Sequence, residues 1–243
     1  MAVEVAQRAA EHRPGRVLET AAGPGIVTRA LRDALAPEAE LVATDLQDAM
    51  PAVARGEFRD GERVAFEPAD ATALPFADGR FDAVACQFGV MFFPDNVAGY
   101  REMRRVLAPG GRTHFSVWDS HVHNPFGRIA HDIVTDFFPN DTPPFQRIPL
   151  PYWFDPIKNA PVATGFTEIT CAVIRRDQPL RDAAHFARGI VHGNPLFDQI
   201  RARGSVDPEA MVTALTADFH QAFGPDPTRM PLEALFFEAT KPG

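Results

Sequence analysis

Glu19 ends a short apolar strand, Arg16-Val17-Leu18-Glu19, and the chain then turns through Ala21-Ala22-Gly23-Pro24-Gly25 into a segment with helical periodicity. Twenty residues beyond Gly25 a second strand ends on Asp45, and Asp70 and Gln87 follow or end later strands. A glycine-bearing turn between strand and helix lets backbone N–H groups approach a ligand, and an acidic residue about twenty positions on suits a ribose. The pattern predicts a nucleotide-cofactor cradle. The charge of Glu19 then narrows the ligand. A dinucleotide places its pyrophosphate at the first turn, where a carboxylate repels it, whereas an ammonium there is attracted. S-adenosylmethionine carries such an ammonium on its methionine end, so it is the favoured ligand.

The elements that must position these residues alternate. Residues 3–12 read as a short helix, and 25–35 place Ile26, Val27, Ala30, Leu31 and Leu35 on one helical face. Leu41 to Asp45 is a second strand, 47–55 a short helix, Val64 to Glu67 a third strand, and Phe81 to Gln87 a fourth. A helix over 95–107 ends at Ala108-Pro109-Gly110-Gly111, and Thr113 to Trp118 is a fifth strand. Such alternation predicts a doubly wound α/β fold, with a mostly parallel sheet covered on both faces and ligands at the carboxyl ends of its strands.

After Trp118 the rhythm breaks. Asn124-Pro125 predicts a helix start, with the helix running through 137. A proline-rich stretch with Phe145, Tyr152, Trp153 and Phe154 follows, then a sixth strand from Phe166 to Val173. A helical segment over 181–223 and a closing strand from Leu232 to Thr240 complete the chain. One domain over 1–243 is expected, with a cofactor-binding core at 16–118 and substrate-cap insertions at 119–165 and 181–223, after strands five and six.

Composition bounds the partners. The 24 basic and 32 acidic side chains give 24 − 32 = −8, which disfavours a nucleic-acid backbone as the main partner. Two cysteines, Cys86 and Cys171, are too few for a disulfide framework, so a reducing, cytoplasmic setting is expected. The start is charged too early for a signal peptide, and no apolar run reaches the roughly 18 residues of a membrane span. A small-molecule substrate and no membrane insertion are therefore expected, with oligomeric state left open.

From Arg16 to Trp118 the chain resembles the class I S-adenosylmethionine-dependent methyltransferases, especially the small-molecule group of ubiquinone and menaquinone biosynthesis. The resemblance rests on several motifs in register: Val17 to Gly25, Ala43-Thr44-Asp45, Ala69 to Phe76, Phe81 to Val84, and Val106 to Gly111. It implies a seven-stranded Rossmann-like sheet in which only the last strand is antiparallel. It assigns Glu19 and the loop with Ala21, Gly23 and Gly25 to the methionine half of the cofactor, and Asp45 to both ribose hydroxyls. Leu46 would pack on the adenine face, Asp70 would accept from the adenine amino group, and Ala71 would offer a backbone amide. Gln87 sits where the family's fourth strand faces the donor methyl. Two departures stand out: Ala21 replaces the usual glycine, and only about 15 residues precede the first strand, where relatives often carry a longer helical lid.

In-line methyl transfer needs positioning above all, and a general base only when the attacking atom keeps a high-pKa proton. No catalytic motif is thus required. His121, His123 and His192 are candidate bases, each also readable as a surface or capping histidine. Phe88, Met91, Trp118, His123 and Phe126 are candidate acceptor contacts, though the aromatics read equally well as core. No metal is expected, since His121, His123 and His131 lack organised acidic or cysteine partners. A non-methylating binder or cyclase that keeps the cofactor site is the alternative. An NAD(P)-dependent oxidoreductase fits less well, because Thr28 stands at the fingerprint's third small position.

Overall fold

The computed structural model of the chain describes residues 1–47, 53–143, 154–193 and 196–243. Seven strands form one sheet in the order β3-β2-β1-β4-β5-β7-β6. They are β1 (Arg16–Thr20), β2 (Glu40–Asp45), β3 (Val64–Pro68), β4 (Phe81–Gln87), β5 (Leu107–Trp118), β6 (Thr167–Leu180) and β7 (Thr228–Thr240). The ladders joining β1, β2, β3, β4 and β5 are all parallel. β7 runs the other way: Lys241 N donates to Gly111 O at 2.8 Å near the start of β5, and Asp119 N donates to Glu233 O at 3.1 Å just past its end. The doubly wound sheet with an antiparallel last strand is thus as the sequence predicts. Strand order reverses between β1 and β4, where ligands of such sheets collect.

The central parallel strands β1, β2 and β4 are buried on both faces, and their sequences show it: Val17, Leu18, Leu41, Ala43, Val84 and Ala85 alternate no polar residue with solvent. Helices cover them. α1 (Ala2–Ala10) packs on α2 (Ile26–Ala34) and on β4, and α3 (Asn96–Val106) packs on α5 (Phe154–Ala163). The remaining helices are α4 (Pro125–Phe137), α6 (Ala183–His192), α7 (Leu196–Arg203) and α8 (Pro208–Phe223).

Several bounds differ from expectation. β5 begins at Leu107, inside the Pro109-Gly110-Gly111 stretch that reads as a helix stop, because Gly110 N donates to Lys241 O at 3.0 Å and extends the ladder. β6 continues seven residues past Val173 to Leu180, and β7 starts at Thr228 rather than Leu232. α5 lies in the proline-rich stretch, with Pro161 inside it, where no helix is expected. Of the helix expected over 47–55, residues 48–52 lie outside the described residues, and 53–55 are helical. Phe145, Tyr152 and Trp153 also lie outside them.

The chain divides into two compact units. The first comprises Met1–Val117, Trp153–Ile174 and Ala234–Gly243, and holds α5, which the sequence reading assigned to a cap. The second comprises Trp118–Tyr152 and Arg175–Glu233. Its core is built by α4, α6, α7 and α8 around Ile133, Val134, Ala187, Val191, Met211, Leu215 and Phe219. Among the described residues no helix is long and apolar enough to cross a membrane.

Candidate cofactor site

The register of the parallel strands decides which side chains meet. Glu19 pairs with Ala43 on β2 and with Ala85 on β4, and Ala85 pairs with His114 on β5. Side chains alternate along a strand, so Asp45, Gln87 and Ser116, each two residues further on, share the face of Glu19. Gln87 and Ser116 are direct register partners. All four stand at the carboxyl ends of their strands.

This face holds polar atoms that the protein leaves unsatisfied. Glu19 Oε2, Gln87 Oε1 and Ser116 Oγ are buried without a hydrogen-bond partner, as are Thr28 Oγ1 on α2 and, on the opposite face of β1, Thr20 Oγ1. Buried polar groups are normally paired, so a group of orphans at one strand end marks a place that a ligand completes. Glu19 is only 1% exposed. Burial pushes its carboxyl up to about 8, the Thr28 hydroxyl opposes the shift, and the Asp45 carboxylate adds to it. A neutral carboxyl buried here becomes an anion when a cation arrives. The observation fits the methionine end of S-adenosylmethionine, whose ammonium would ionise this carboxyl.

The turn after β1 is shaped for close backbone approach. Ala21, Gly23 and Gly25 all have positive φ, at 55°, 56° and 87°. A Cβ at Gly25 would sit 2.7 Å from Ala54 Cβ, so this first residue of the helix entry requires glycine. A Cβ at Gly23 would meet nothing within 4 Å, leaving the loop open on that side. Ala21 carries its methyl in the left-handed region, which L-residues adopt at a cost of about 1–2 kcal/mol. Space for that methyl comes from Gly89, whose own Cβ would lie 2.5 Å from Ala21 Cβ and 2.7 Å from Cys86 Sγ.

Asp45 is tied to this loop. Its Oδ2 accepts from Gly23 N at 2.9 Å and its Oδ1 from Gln47 N at 3.0 Å. Each oxygen keeps a second lone pair for a hydroxyl donor. Leu46 follows with its side chain 71% exposed, an apolar surface without protein cover. Beyond β3, Asp70 Oδ1 accepts from Thr72 Oγ1 at 2.7 Å and Thr72 N at 2.8 Å, and these bonds hold its carboxyl below the usual range. Ala71 is buried beside it. Phe88 takes a positive φ of 56° after β4, and Met91 is buried in the 3₁₀ turn Val90–Phe92. Burial raises the Cys86 thiol to about 11, which keeps it protonated and out of nucleophilic chemistry.

In the second unit, Trp118 and Phe126 meet edge to face with centroids 5.5 Å apart. His121 lies 5.7 Å from His131, and its pKa is lowered by burial and then by that neighbour. His192 is held by Glu209, Nε2 to Oε1 at 3.1 Å. His123 Nε2 stands 3.8 Å from Glu233 Oε1. Asp119, His123 and Glu233 have ligand atoms within 4.8 Å of one another, a spacing that could suit a cation. The Arg175 guanidinium, however, already bonds the buried Glu233 carboxylate. Ser116, Thr20 and Thr28 escaped the sequence reading, because small hydroxyl residues in an apolar strand or helix carry no distinguishing pattern.

Residues 17–111 match the family described as a methyltransferase domain. The demethylmenaquinone methyltransferase of Thermus thermophilus is 47% identical over 106 residues, 43% of this chain and 47% of that protein. The ubiquinone/menaquinone biosynthesis C-methyltransferase UbiE of Hahella chejuensis is 38% identical over 122 residues, 49% of each chain. The chain thus spans about half the length of the curated relatives it matches. A solved [4+2]-cyclase, SpnF, shares the fold at a TM-score of 0.61 and 17% identity, over 99% of this chain and 80% of that one. Over residues 17–111 the chain is thus similar to methyltransferase domains, among them those of the ubiquinone and menaquinone C-methyltransferases.

Proposed function

We propose that the protein transfers the methyl group of S-adenosylmethionine to an O, N or C atom of a small, hydrophobic or aromatic metabolite. The buried Glu19 carboxyl, whose Oε2 has no hydrogen-bond partner, carries this reading, because a cation at the first turn of a nucleotide cradle would complete it. Glu19 and the Ala21–Gly25 loop hold the methionine half. Asp45 takes the ribose hydroxyls, Leu46 covers the adenine, Asp70 accepts from its amino group, and Ala71 offers its amide. When bound, the cofactor supplies an electrophilic methyl on a good leaving group. The chain's task is to align a nucleophile, and alignment of that kind can contribute roughly 7–11 kcal/mol.

Gln87 Oε1 faces the same place without a partner and suits a donor such as a phenolic O–H. The relatives' names make a quinol ring the first acceptor to try. Phe88, Met91, Trp118, His123 and Phe126 remain the residues nominated for acceptor contact, and His121, His123 and His192 the nominated bases. Residues 119–165 and 181–223 are read as its cap, and the cytoplasm as its compartment.

The test has two stages. Calorimetric titration with S-adenosylhomocysteine should show binding at micromolar concentration, and no heat at millimolar ligand defeats the cofactor reading. Methyl-labelled donor is then offered with demethylmenaquinol, other quinols and simple phenols. Label in the organic phase supports the acceptor class. Tight cofactor binding with no transfer to any of them favours the non-methylating alternative, for which the cyclase of the same fold is a precedent.

A further inference from the structure

The segment that carries Asp70 leaves the sheet ladder at Ala69, whose N donates to Asp45 O at 2.9 Å, and is held at its other end by a helix. Past β3 the chain makes a turn, with Ala73 N donating to Asp70 O at 3.0 Å, and then lies along α3. There Glu102 and Arg105, one helical turn apart, grip the backbone of a single residue from both sides. Leu74 N donates to Glu102 Oε2 at 2.8 Å, and Leu74 O accepts from Arg105 Nη2 at 2.9 Å. Arg105 Nη1 also donates to Phe76 O at 2.6 Å and to Asp78 Oδ1 at 2.8 Å. Its Nε and Nη2 bond the two Glu102 oxygens at 2.8 and 2.7 Å, fixing the plane of the guanidinium. The side chains of Leu74 and Phe76 are buried, so the clamped stretch cannot drift without exposing them. A planar fork of donors suits this work, since one rigid group sets the distance between two carbonyls.

We propose that Arg105, braced by Glu102, is the positioning residue of the adenine end. By registering Leu74–Phe76 on α3 it fixes the far end of the turn whose near end Ala69 ties to β2, and so sets where the Asp70 carboxylate and the Ala71 amide stand between the two anchors. It touches neither cofactor nor acceptor. The inference rests on the proposed role of Asp70 as acceptor of the adenine amino group, and its test is built to separate the two.

The probes are S-adenosylhomocysteine and S-inosylhomocysteine, in which an oxo group replaces the amino donor. The full-length wild type should prefer the first by about tenfold, the worth of one hydrogen bond to a charged group. Arg105→Lys and Arg105→Gln should reduce that preference below about threefold while the affinity for S-inosylhomocysteine moves less. Merely losing stability would weaken both ligands together and leave the ratio intact. Asp78→Ala removes only the outermost partner and should keep the tenfold preference. If the wild type binds both probes equally, the Asp70 assignment fails and the proposal falls with it. If the wild type discriminates and either Arg105 variant still does so tenfold, the clamp alone is refuted. The lysine variant keeps the charge, so it remains measurable should the glutamine variant not fold.

Discussion

Replacing Glu19 by glutamine should make the ligand-free protein more stable and a poorer binder of its cofactor. The carboxyl is buried and its pKa is raised from 4.5 to about 8. In the unfolded chain it ionises near its ordinary value, so above that pH unfolding releases a proton that the folded state holds. Native stability therefore falls as pH rises through the window from 4.5 to 8, opposite to the usual behaviour of a carboxylate. At pH 7 the gap is about 2.5 pH units, or about 3 kcal/mol at 1.36 kcal/mol per unit. Glu19→Gln keeps the shape and does not ionise, so urea unfolding at pH 7 should show a gain of up to about 3 kcal/mol, absent at pH 4. The same variant should bind S-adenosylhomocysteine at least about tenfold more weakly, having lost a charged partner. In the wild type the arriving ammonium ionises Glu19. Binding near pH 7 should release close to one proton, read from titrations in buffers of different ionisation heat, and affinity should rise with pH up to about 8. Equal stability of the two proteins at pH 7, or a difference that persists at pH 4, refutes the reasoning.

Other outcomes follow from local geometry. Gly89→Ala should cost several kcal/mol by thermal unfolding, because its methyl would stand 2.5 Å from Ala21 Cβ, and adding Ala21→Gly should recover part of the loss. Asn124→Ala should cost about 3 kcal/mol in urea. Its buried amide donates to Asp119 O at 2.9 Å and to Glu233 O at 2.8 Å and accepts from Glu233 N at 2.9 Å, and its loss would leave Asp119 O and Glu233 N unpaired. His114 is pushed down to about 4, chiefly by burial, with Glu238 opposing and His12, Arg112 and Arg8 assisting. Its contribution to stability is present above pH 6.5 and lost as pH falls towards 4, so His114→Gln should flatten the acid limb of the stability curve.

The cofactor end of the fold was legible because it depends on local features. Apolar strands ending on Glu19 and Asp45, with a glycine turn between, put charge at strand ends whatever the rest of the chain does. What escaped depends on partners far along the chain. The first residues of β5 looked like a helix stop, and only pairing with Lys241 makes Pro109-Gly110-Gly111 a strand. The outer half of β6, Arg175 to Gln178, is exposed and polar and offers no alternation to read. α5 hides in prolines, and its packing on α3 is tertiary. Arg105 looks like one more basic residue near a helix end. Its clamp appears only once the loop some 30 residues earlier lies beside it.

The bond from Gly23 N to Asp45 Oδ2 has a bearing on how alanine scans of this region are interpreted. Truncating Asp45 would release the turn as well as remove the carboxylate, so on the proposed assignments the lesion would be felt at both the methionine and the sugar ends of one ligand. Asp45→Asn leaves an oxygen for the Gly23 amide while dropping the charge. The difference between the two variants would therefore separate the anchoring of a loop from the recognition of a ribose.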